Sequence, residues 1–155
     1  MIATTLSGGI GNQLFMYATA KAMALRSKTE LVINNTSDFT KDKVYHRNYE
    51  LGVFNISIKK NRLLTFDYPG GDIIKKISRK TGRNILCPAY IYYYDIYNNH
   101  KYNPDLLNIK NSCVYLEGYW HSELYFKDYE KEIREDLSFD FVKSDALLED
   151  RKSVV

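Results

Sequence analysis

A glycine-rich turn close to the start of the chain limits the folds that this sequence can adopt. The turn lies between an apolar segment, residues 1–6, and a segment whose apolar residues recur at helical spacing: Leu14, Ala18, Ala22 and Leu25. Because glycine accepts backbone conformations that other residues avoid, such a turn can join a strand tightly to a helix. The pattern therefore predicts a strand, a loop and a helix, and the free N–H groups at the start of that helix favour an anionic group such as phosphate.

The turn itself contains Gly8, Gly9 and Gly11, and the amides of Asn12 and Gln13 follow it. We expect the glycines to let another molecule approach closely, and we expect Asn12 to cap the helix by accepting a backbone N–H bond. Turns of this kind are common in proteins, so the turn alone leaves both a ligand site and a purely structural connection open.

This turn differs from the fingerprint of dinucleotide-binding sites at two points. Leu14 occupies the place of the third glycine, and Asn34 and Asn35 stand where such sites carry an acidic residue for the ribose hydroxyls. The sequence therefore argues against binding of a nicotinamide or flavin cofactor.

Residues 30–34 predict a second strand, because β-branched and apolar residues are followed there by turn-forming residues. A strand, a helix and a strand within about 35 residues predict a right-handed parallel βαβ unit. Further strands are predicted at 89–96 and 112–120, and the alternating alanines between 18 and 24 suit a helix close to the sheet. The fold class is therefore α/β, with a Rossmann-like parallel sheet flanked by helices.

The polar stretch 36–49 is predicted to be a loop that crosses the carboxyl ends of these strands, where open α/β sheets bind ligands. His46 and Arg47 on this loop are predicted to be solvated. Three apolar residues that follow are expected to support the loop by packing, namely Leu51, Phe54 and Ile56.

Composition and charge exclude several classes of protein. The 22 Lys and Arg residues nearly balance 19 Asp and Glu, so the net charge of +3 does not predict nucleic-acid binding. Cys87 and Cys113 have neither C-x-x-C spacing nor nearby histidines, so two isolated thiols in a reducing compartment are expected. No apolar run approaches the ~18 residues of a membrane-spanning helix, and no secretory signal is visible. A cytoplasmic location is the expectation.

A basic helix is predicted between the glycines at 70–71 and Gly82, with Ile73, Ile74 and Ile77 on one face. A solvated surface helix is the favoured interpretation, and contact with an anionic lipid surface at the inner membrane face is the alternative. The basic residues in question are Lys75, Lys76, Arg79, Lys80 and Arg83.

A second polar group follows the strand that is predicted to end at Gly118: Glu117, His121, Ser122 and Glu123. At the carboxyl end of a strand these side chains can hold sugar hydroxyls, and Glu123 near His121 can form a proton-accepting pair. Equally, Ser122 can cap a turn and Glu123 can complement the dipole of the helix predicted over 128–137.

Two segments resemble the bacterial α-1,2-fucosyltransferases, glycosyltransferase family 11. Residues 7–24, SGGIGNQLFMYATAKAMA, are similar to the amino-terminal run of that family, Gly-Gly-x-Gly-Asn-Gln-Leu-Phe-x-Tyr-Ala. Residues 115–126 resemble its aromatic strand end followed by Gln-Ser-Glu-Lys-Tyr-Phe, with His121 in place of the glutamine and Leu124 in place of the lysine.

The resemblance implies the amino-terminal half of a two-domain GT-B arrangement. Residues 1–141 would form a Rossmann-like domain that contacts the acceptor, and residues 142–155 a truncated linker towards a donor-binding domain. The residues expected to face the cleft between donor and acceptor are Gly8, Gly9, Gly11, Asn12, Gln13, His121, Ser122 and Glu123.

The implied reaction is an inverting transfer of fucose from GDP-fucose to the 2-hydroxyl of a galactose in a glycan, without a metal or other cofactor. In the family, a His-x-Arg-Arg-Gly-Asp motif stabilises the leaving diphosphate. This sequence contains no Arg-Arg pair, so the chain is expected to be a truncated gene product that is inactive alone. The general base is not assigned. A carbohydrate-binding or interaction module without catalysis is the alternative.

Overall fold

A mixed β-sheet with helices on both faces forms the centre of the molecule. The computed structural model describes residues 1–84, 87–94, 101–109 and 113–139. The strands within these ranges are β1 Ile2–Thr5, β2 Leu31–Asn34, β3 Arg83–Asn84, β4 Cys87–Tyr94 and β5 Val114–Glu117. The α-helices within them are α1 Ile10–Arg26, α2 Ser37–Lys41, α3 Gly71–Thr81 and α4 Glu130–Asp136.

The strands lie in the order β2-β1-β5-β4-β3. β1 is parallel to β2 on one side, with Ile2 opposite Leu31, and parallel to β5 on the other, with Ile2 opposite Val114. β4 is parallel to β5, and the short β3 pairs with β4 in the antiparallel direction. The predicted α/β, Rossmann-like parallel sheet with flanking helices is therefore confirmed, with an antiparallel strand added at one edge.

Both faces of the central strands are buried, because side chains alternate between the two faces of a sheet. Ile2 and Leu116 point to the face that α1 covers, where they join a core that includes the fully buried Trp120. Ala3 and Tyr115 point to the opposite face and join a second core around Phe66, against which part of α3 packs. Burial on both faces is typical of parallel strands.

The alternating alanines of α1 serve two contacts, whereas the sequence predicted only a close approach to the sheet. Ala20 and Ala24 belong to the core between α1 and the sheet, as predicted. Ala18 and Ala22 instead contact Ile133 of α4 on the outer side of α1. Small side chains at these positions therefore allow α4 to lie close to α1.

Several sequence predictions are confirmed and others need correction. The packing of Leu51, Phe54 and Ile56 is confirmed, and Gly70 and Gly82 flank α3, both with positive φ. The predicted loop 36–49 begins with the short helix α2, and the predicted helix 128–137 begins as the 3-10 turn Lys127–Tyr129 before α4. Asn12 does not cap α1: the helix starts after Gly9 without a side-chain cap, so Asn12 lies within its first turn.

Other predictions concern the cysteines and membrane-spanning segments. Cys113 is a half-buried free thiol. The side chain of Cys87 and the predicted linker 142–155 lie outside the described residues. Among the residues described, no helix has the length and apolarity needed to cross a bilayer.

Enlarging Ala22 tests the contact between α1 and α4. Ala22 is fully buried against Ile133, so Ala22→Leu should overpack this contact and lower the free energy of unfolding by about 1–3 kcal/mol. Urea denaturation followed by circular dichroism measures the loss. Glu132→Leu adds a similar side chain on the exposed surface of α4 and should change stability by less than about 0.5 kcal/mol. Equal effects of the two substitutions would contradict this packing.

Candidate functional site

A cleft of about 440 Å³ lies at the carboxyl edge of the parallel strands. Its walls are the glycine turn after β1, the helix α2 and loop after β2, and Tyr119 after β5. Open α/β sheets bind ligands at this edge. The cleft is therefore our candidate site, and three separate parts of the chain form it.

The glycines of the turn contribute unequally to the cleft. Gly8 has φ of +73°, and a Cβ atom there would lie only 2.6 Å from Nδ2 of Asn12. A Cβ at Gly9 would lie 3.2 Å from Nη1 of Arg47, whereas a Cβ at Gly11 would meet no atom within 4 Å. Gly8 and Gly9 line the cleft, and Gly11 is exposed on the first turn of α1. Only Gly8 and Gly9 are thus constrained by their surroundings.

Asn12 joins the glycine turn to the segment that follows β5. Its Oδ1 atom lies 3.0 Å from Nε2 of His121. The His121 ring stacks on Tyr119, with centroids 5.4 Å apart and planes 5° apart, and its position is further fixed by an edge-on contact with Phe15. Asn12 and His121, both predicted as cleft residues, are therefore brought together, and Asn12 and Tyr119 line the cleft.

The backbone after β5 explains how His121 and Tyr119 reach this position. Gly118 and Trp120 both have positive φ, +154° and +52°, so the chain bends sharply where the strand ends. Trp120 is fully buried in the core. Its two neighbours are consequently left at the edge of the sheet, where their rings stack.

Gln13 does not line the cleft, although the sequence predicted that it would. Its side chain is fully buried and donates to the carbonyl oxygens of Gly8 and Asn48, each over 2.9 Å. Its Oε1 atom accepts the backbone N–H of Glu50, also over 2.9 Å. Gln13 therefore fixes the glycine turn to the segment that ends the neighbouring loop.

The loop after α2 folds back over the glycine turn. The carboxylate of Asp42 accepts the backbone N–H groups of Val44, Tyr45 and Arg47, and these hydrogen bonds, chiefly that of Tyr45, lower the pKa of Asp42. The guanidinium of Arg47 lies 5.7 Å from the centre of the Tyr45 ring and beside Gly9.

Arg47 was therefore missed as a cleft residue, because the sequence predicted that it would be solvated. It is exposed to solvent but lines the cleft, whereas His46 is exposed with φ of +49°. The predicted position of the stretch 36–49 at the carboxyl ends of the strands agrees with the structure, whereas the tight turn in which Asp42 holds the backbone of Arg47 was not predicted.

Ser122 and Glu123 do not line the cleft. Oγ of Ser122 accepts the N–H of Leu124 over 3.3 Å and so caps the 3-10 turn Glu123–Tyr125, as the structural interpretation predicted. Glu123 is exposed and lines a separate groove with Phe126 and Ile133. A proton-accepting pair of Glu123 with His121 stays a prediction.

Glu117 lies at the carboxyl end of the central strand β5, and its carboxylate is bound by residues of the protein itself. Its carboxylate accepts hydrogen bonds from Arg79 over 2.6 and 3.1 Å and from Tyr92, and forms an ion pair with Lys75 over 3.0 Å. Burial alone would raise the pKa of Glu117, but the charges and donors of these three residues lower it overall. Because a carboxylate has about four acceptor positions, Glu117 has little capacity left for sugar hydroxyls.

Comparison with known proteins gives one relationship. Over 139 residues the chain is 22% identical to an α-1,2-colitosyltransferase of Escherichia coli, and the match covers 87% of this chain and 44% of that protein. The chain is related to a glycosyltransferase. It spans less than half the length of this relative. No protein-family model matches the chain, and no solved structure matches it.

The lining of the cleft is both aromatic and polar. The lining combines aromatic rings, of Phe39, Tyr45 and Tyr119, with the polar groups of Asp38 and Asn12. In the described part of the chain, no three His, Cys, Asp or Glu side chains converge in the way that a metal ion requires.

Substitution of the glycines tests the geometry of the turn. Gly8→Ala should lower the free energy of unfolding by about 1–2 kcal/mol, because the positive φ is unfavourable for alanine and the new Cβ displaces Asn12. Gly11→Ala is the matched control and should be neutral or stabilise α1 by about 0.5–1 kcal/mol, because its Cβ meets open space. Urea denaturation of both variants measures these changes in the free energy of unfolding. A destabilisation by Gly11→Ala as large as that by Gly8→Ala would refute the turn geometry.

Removing the charge of Glu117 tests its role as the internal counter-ion. Glu117→Gln leaves Lys75 and Arg79 without their partner and should destabilise the fold by about 3 kcal/mol. Glu130→Gln breaks an exposed pair with Arg134 instead and should cost only ~0.4 kcal/mol in urea denaturation.

The effect of Glu117→Gln on the free energy of unfolding should also depend on pH. Because the folded-state pKa of Glu117 is lowered, its stabilisation is present above the ordinary glutamate pKa of about 4.3 and is lost as the pH falls through the folded-state pKa. The difference in unfolding free energy between wild type and Glu117→Gln should therefore shrink on acidification. A difference that stays constant from neutral to acidic pH would contradict the ion cluster that Glu117 forms with Lys75 and Arg79.

Proposed function

We propose that this chain forms the acceptor-side half of an α-1,2-fucosyltransferase, which transfers fucose from GDP-fucose to the 2-hydroxyl of a galactose in a glycan. The observation that carries the proposal is the similarity to an α-1,2-glycosyltransferase over 87% of the chain. The resemblance of residues 7–24 and 115–126 to the fucosyltransferases supports fucose as the transferred sugar. These two segments also form two walls of the cleft.

The cleft offers chemistry that suits a glycan. The rings of Tyr45 and Tyr119 present apolar faces on which the C–H groups of a sugar can pack, and the carboxylate of Asp38 can accept bonds from sugar hydroxyls. The side chain of Asn12, which already contacts His121, has an amide that can donate to a sugar oxygen. We assign Asn12 and Tyr119 to acceptor binding.

The departure of GDP from the donor sugar is the step that paired arginine side chains assist, and this sequence contains no adjacent arginines. In the transfer, the acceptor oxygen forms a bond to C1 of fucose while the bond from C1 to the phosphate oxygen breaks and GDP leaves with the electron pair. The hydroxyl proton passes to a base, which we leave unassigned. Guanidinium groups stabilise a leaving diphosphate best, and the 155 residues contain no Arg-Arg pair. We therefore propose that the chain alone does not catalyse the transfer of fucose.

Binding and activity measurements on the purified chain test the proposal. Titration with lactose, followed by NMR, should show saturable binding that Asn12→Ala weakens by about tenfold, or ~1.4 kcal/mol, because one hydrogen bond is lost. Asn55→Ala changes an exposed asparagine outside the cleft lining and should bind lactose like the wild type. Incubation of the chain with GDP-fucose and lactose should yield no product.

The outcomes separate the alternatives. Formation of a fucosylated product by the chain alone would contradict its inactivity, and absence of lactose binding would contradict the acceptor role. Glycan binding that is retained while a longer polypeptide containing this chain fails to use GDP-fucose would favour a carbohydrate-binding module. Use of a colitose donor in preference to GDP-fucose by that polypeptide would keep the acceptor role but overturn the choice of fucose.

A further inference from the structure

The helix α3 exposes two of its three isoleucines and turns two of its cations inward. Ile73 and Ile77 are 64% and 37% exposed, whereas the side chain of Lys75 is only 13% exposed. Surface helices ordinarily direct their apolar stripe to the core and their charges to solvent. Large apolar side chains that are left exposed together in this way mark an interaction surface.

The orientation of α3 is fixed by contacts on its inner side. Lys75 and Arg79 reach Glu117 at the end of β5, and Ser78 between them is fully buried. A Cβ atom at Gly71, one turn before Lys75, would collide with the carbonyl of Phe66, so the first turn lies directly on the backbone of the preceding loop. The helix therefore cannot rotate to bury Ile73 and Ile77 without breaking the ion cluster.

Four exposed residues of α3 follow one another at helical spacing, and we call them the outward stripe: Ile73, Lys76, Ile77 and Lys80. Lys76 lies at the margin of this stripe, because it also lines a groove with Asp72 and Glu117. The outward stripe contains no acidic residue. The acidic residue of α3, Asp72, is paired with Lys41 of α2, and Glu117 neutralises cations on the inner side. The outward stripe therefore combines two apolar side chains with two positive charges.

We propose that the outward stripe docks α3 onto an anionic lipid surface. The two isoleucines would enter the boundary between headgroups and acyl chains, and Lys76 and Lys80 would contact lipid phosphates. Charge complementarity selects this partner over a second copy of the chain, because a symmetric dimer through the outward stripe would bring four lysines together without an acidic residue of the stripe to pair with them. The residues involved differ from the sequence-based set, since Lys75 and Arg79 are held by Glu117.

This binding needs neither glycan nor sugar nucleotide, so it stands or falls separately from the proposed function. Flotation with vesicles of phosphatidylcholine containing 30% phosphatidylglycerol should recover the chain with the lipid, and pure phosphatidylcholine should not. Raising the salt concentration should weaken the binding. Two double variants, Ile73→Ser with Ile77→Ser and Lys76→Gln with Lys80→Gln, should each reduce partitioning by about tenfold.

A matched control removes the same amount of charge elsewhere. Lys28→Gln with Lys131→Gln changes two exposed lysines away from α3 and should reduce partitioning less than about twofold. Equal losses in the control and the Lys76 and Lys80 variant, or no binding to the anionic vesicles, would overturn the proposal. A concentration-dependent dimer in sedimentation that the isoleucine variant abolishes would overturn it in favour of a second copy of the chain.

Discussion

The candidate site depends on one buried amide. Gln13 is enclosed in the protein, and its three hydrogen bonds connect the carbonyl of Gly8 to the backbone of Asn48 and Glu50. A buried amide without partners costs several kcal/mol, so these two segments are obliged to stay together. Their proximity brings Arg47, one residue before Asn48, against Gly9. The glycine turn and Arg47, which both line the cleft, are thus positioned by a residue that touches neither the solvent nor the cleft.

The ion cluster around Glu117 has a comparable influence on the other face of the sheet. Burial of an isoleucine side chain stabilises a fold by roughly 1.5–3 kcal/mol, whereas a buried charge without a partner costs several kcal/mol per ion. Rotation of α3 to bury Ile73 and Ile77 would leave the largely buried carboxylate of Glu117 without either cation, and this penalty opposes the gain from burial. The exposed apolar residues of α3 are therefore a consequence of pairing at the end of β5, and not of a poor helix sequence.

Local patterns predicted the parts of this fold that local chemistry determines. The glycine turn, the first βαβ unit and the glycines that flank α3 follow from residues close together in sequence, and the structure has them all. The face of α3 that is turned towards the sheet was not predictable, because it depends on Glu117, which lies 38 residues from Arg79 along the chain. Gln13 gave a misleading signal, since a polar residue beside a glycine turn is as compatible with an exposed ligand contact as with a buried structural role.

The balance of charge in the cleft bears on the proposed function. Lys41 and Arg47 face the carboxylates of Asp38 and Asp42, so the lining carries as many negative as positive side chains. Lys41 is moreover paired with Asp72 over 2.7 Å, which leaves Arg47 to offer its charge to a ligand. Guanidinium groups are the strongest partners of a leaving diphosphate, whereas a neutral glycan is bound through donors, acceptors and aromatic faces. The lining of this cleft offers the groups that a glycan needs, which is consistent with the acceptor role that we propose for the chain.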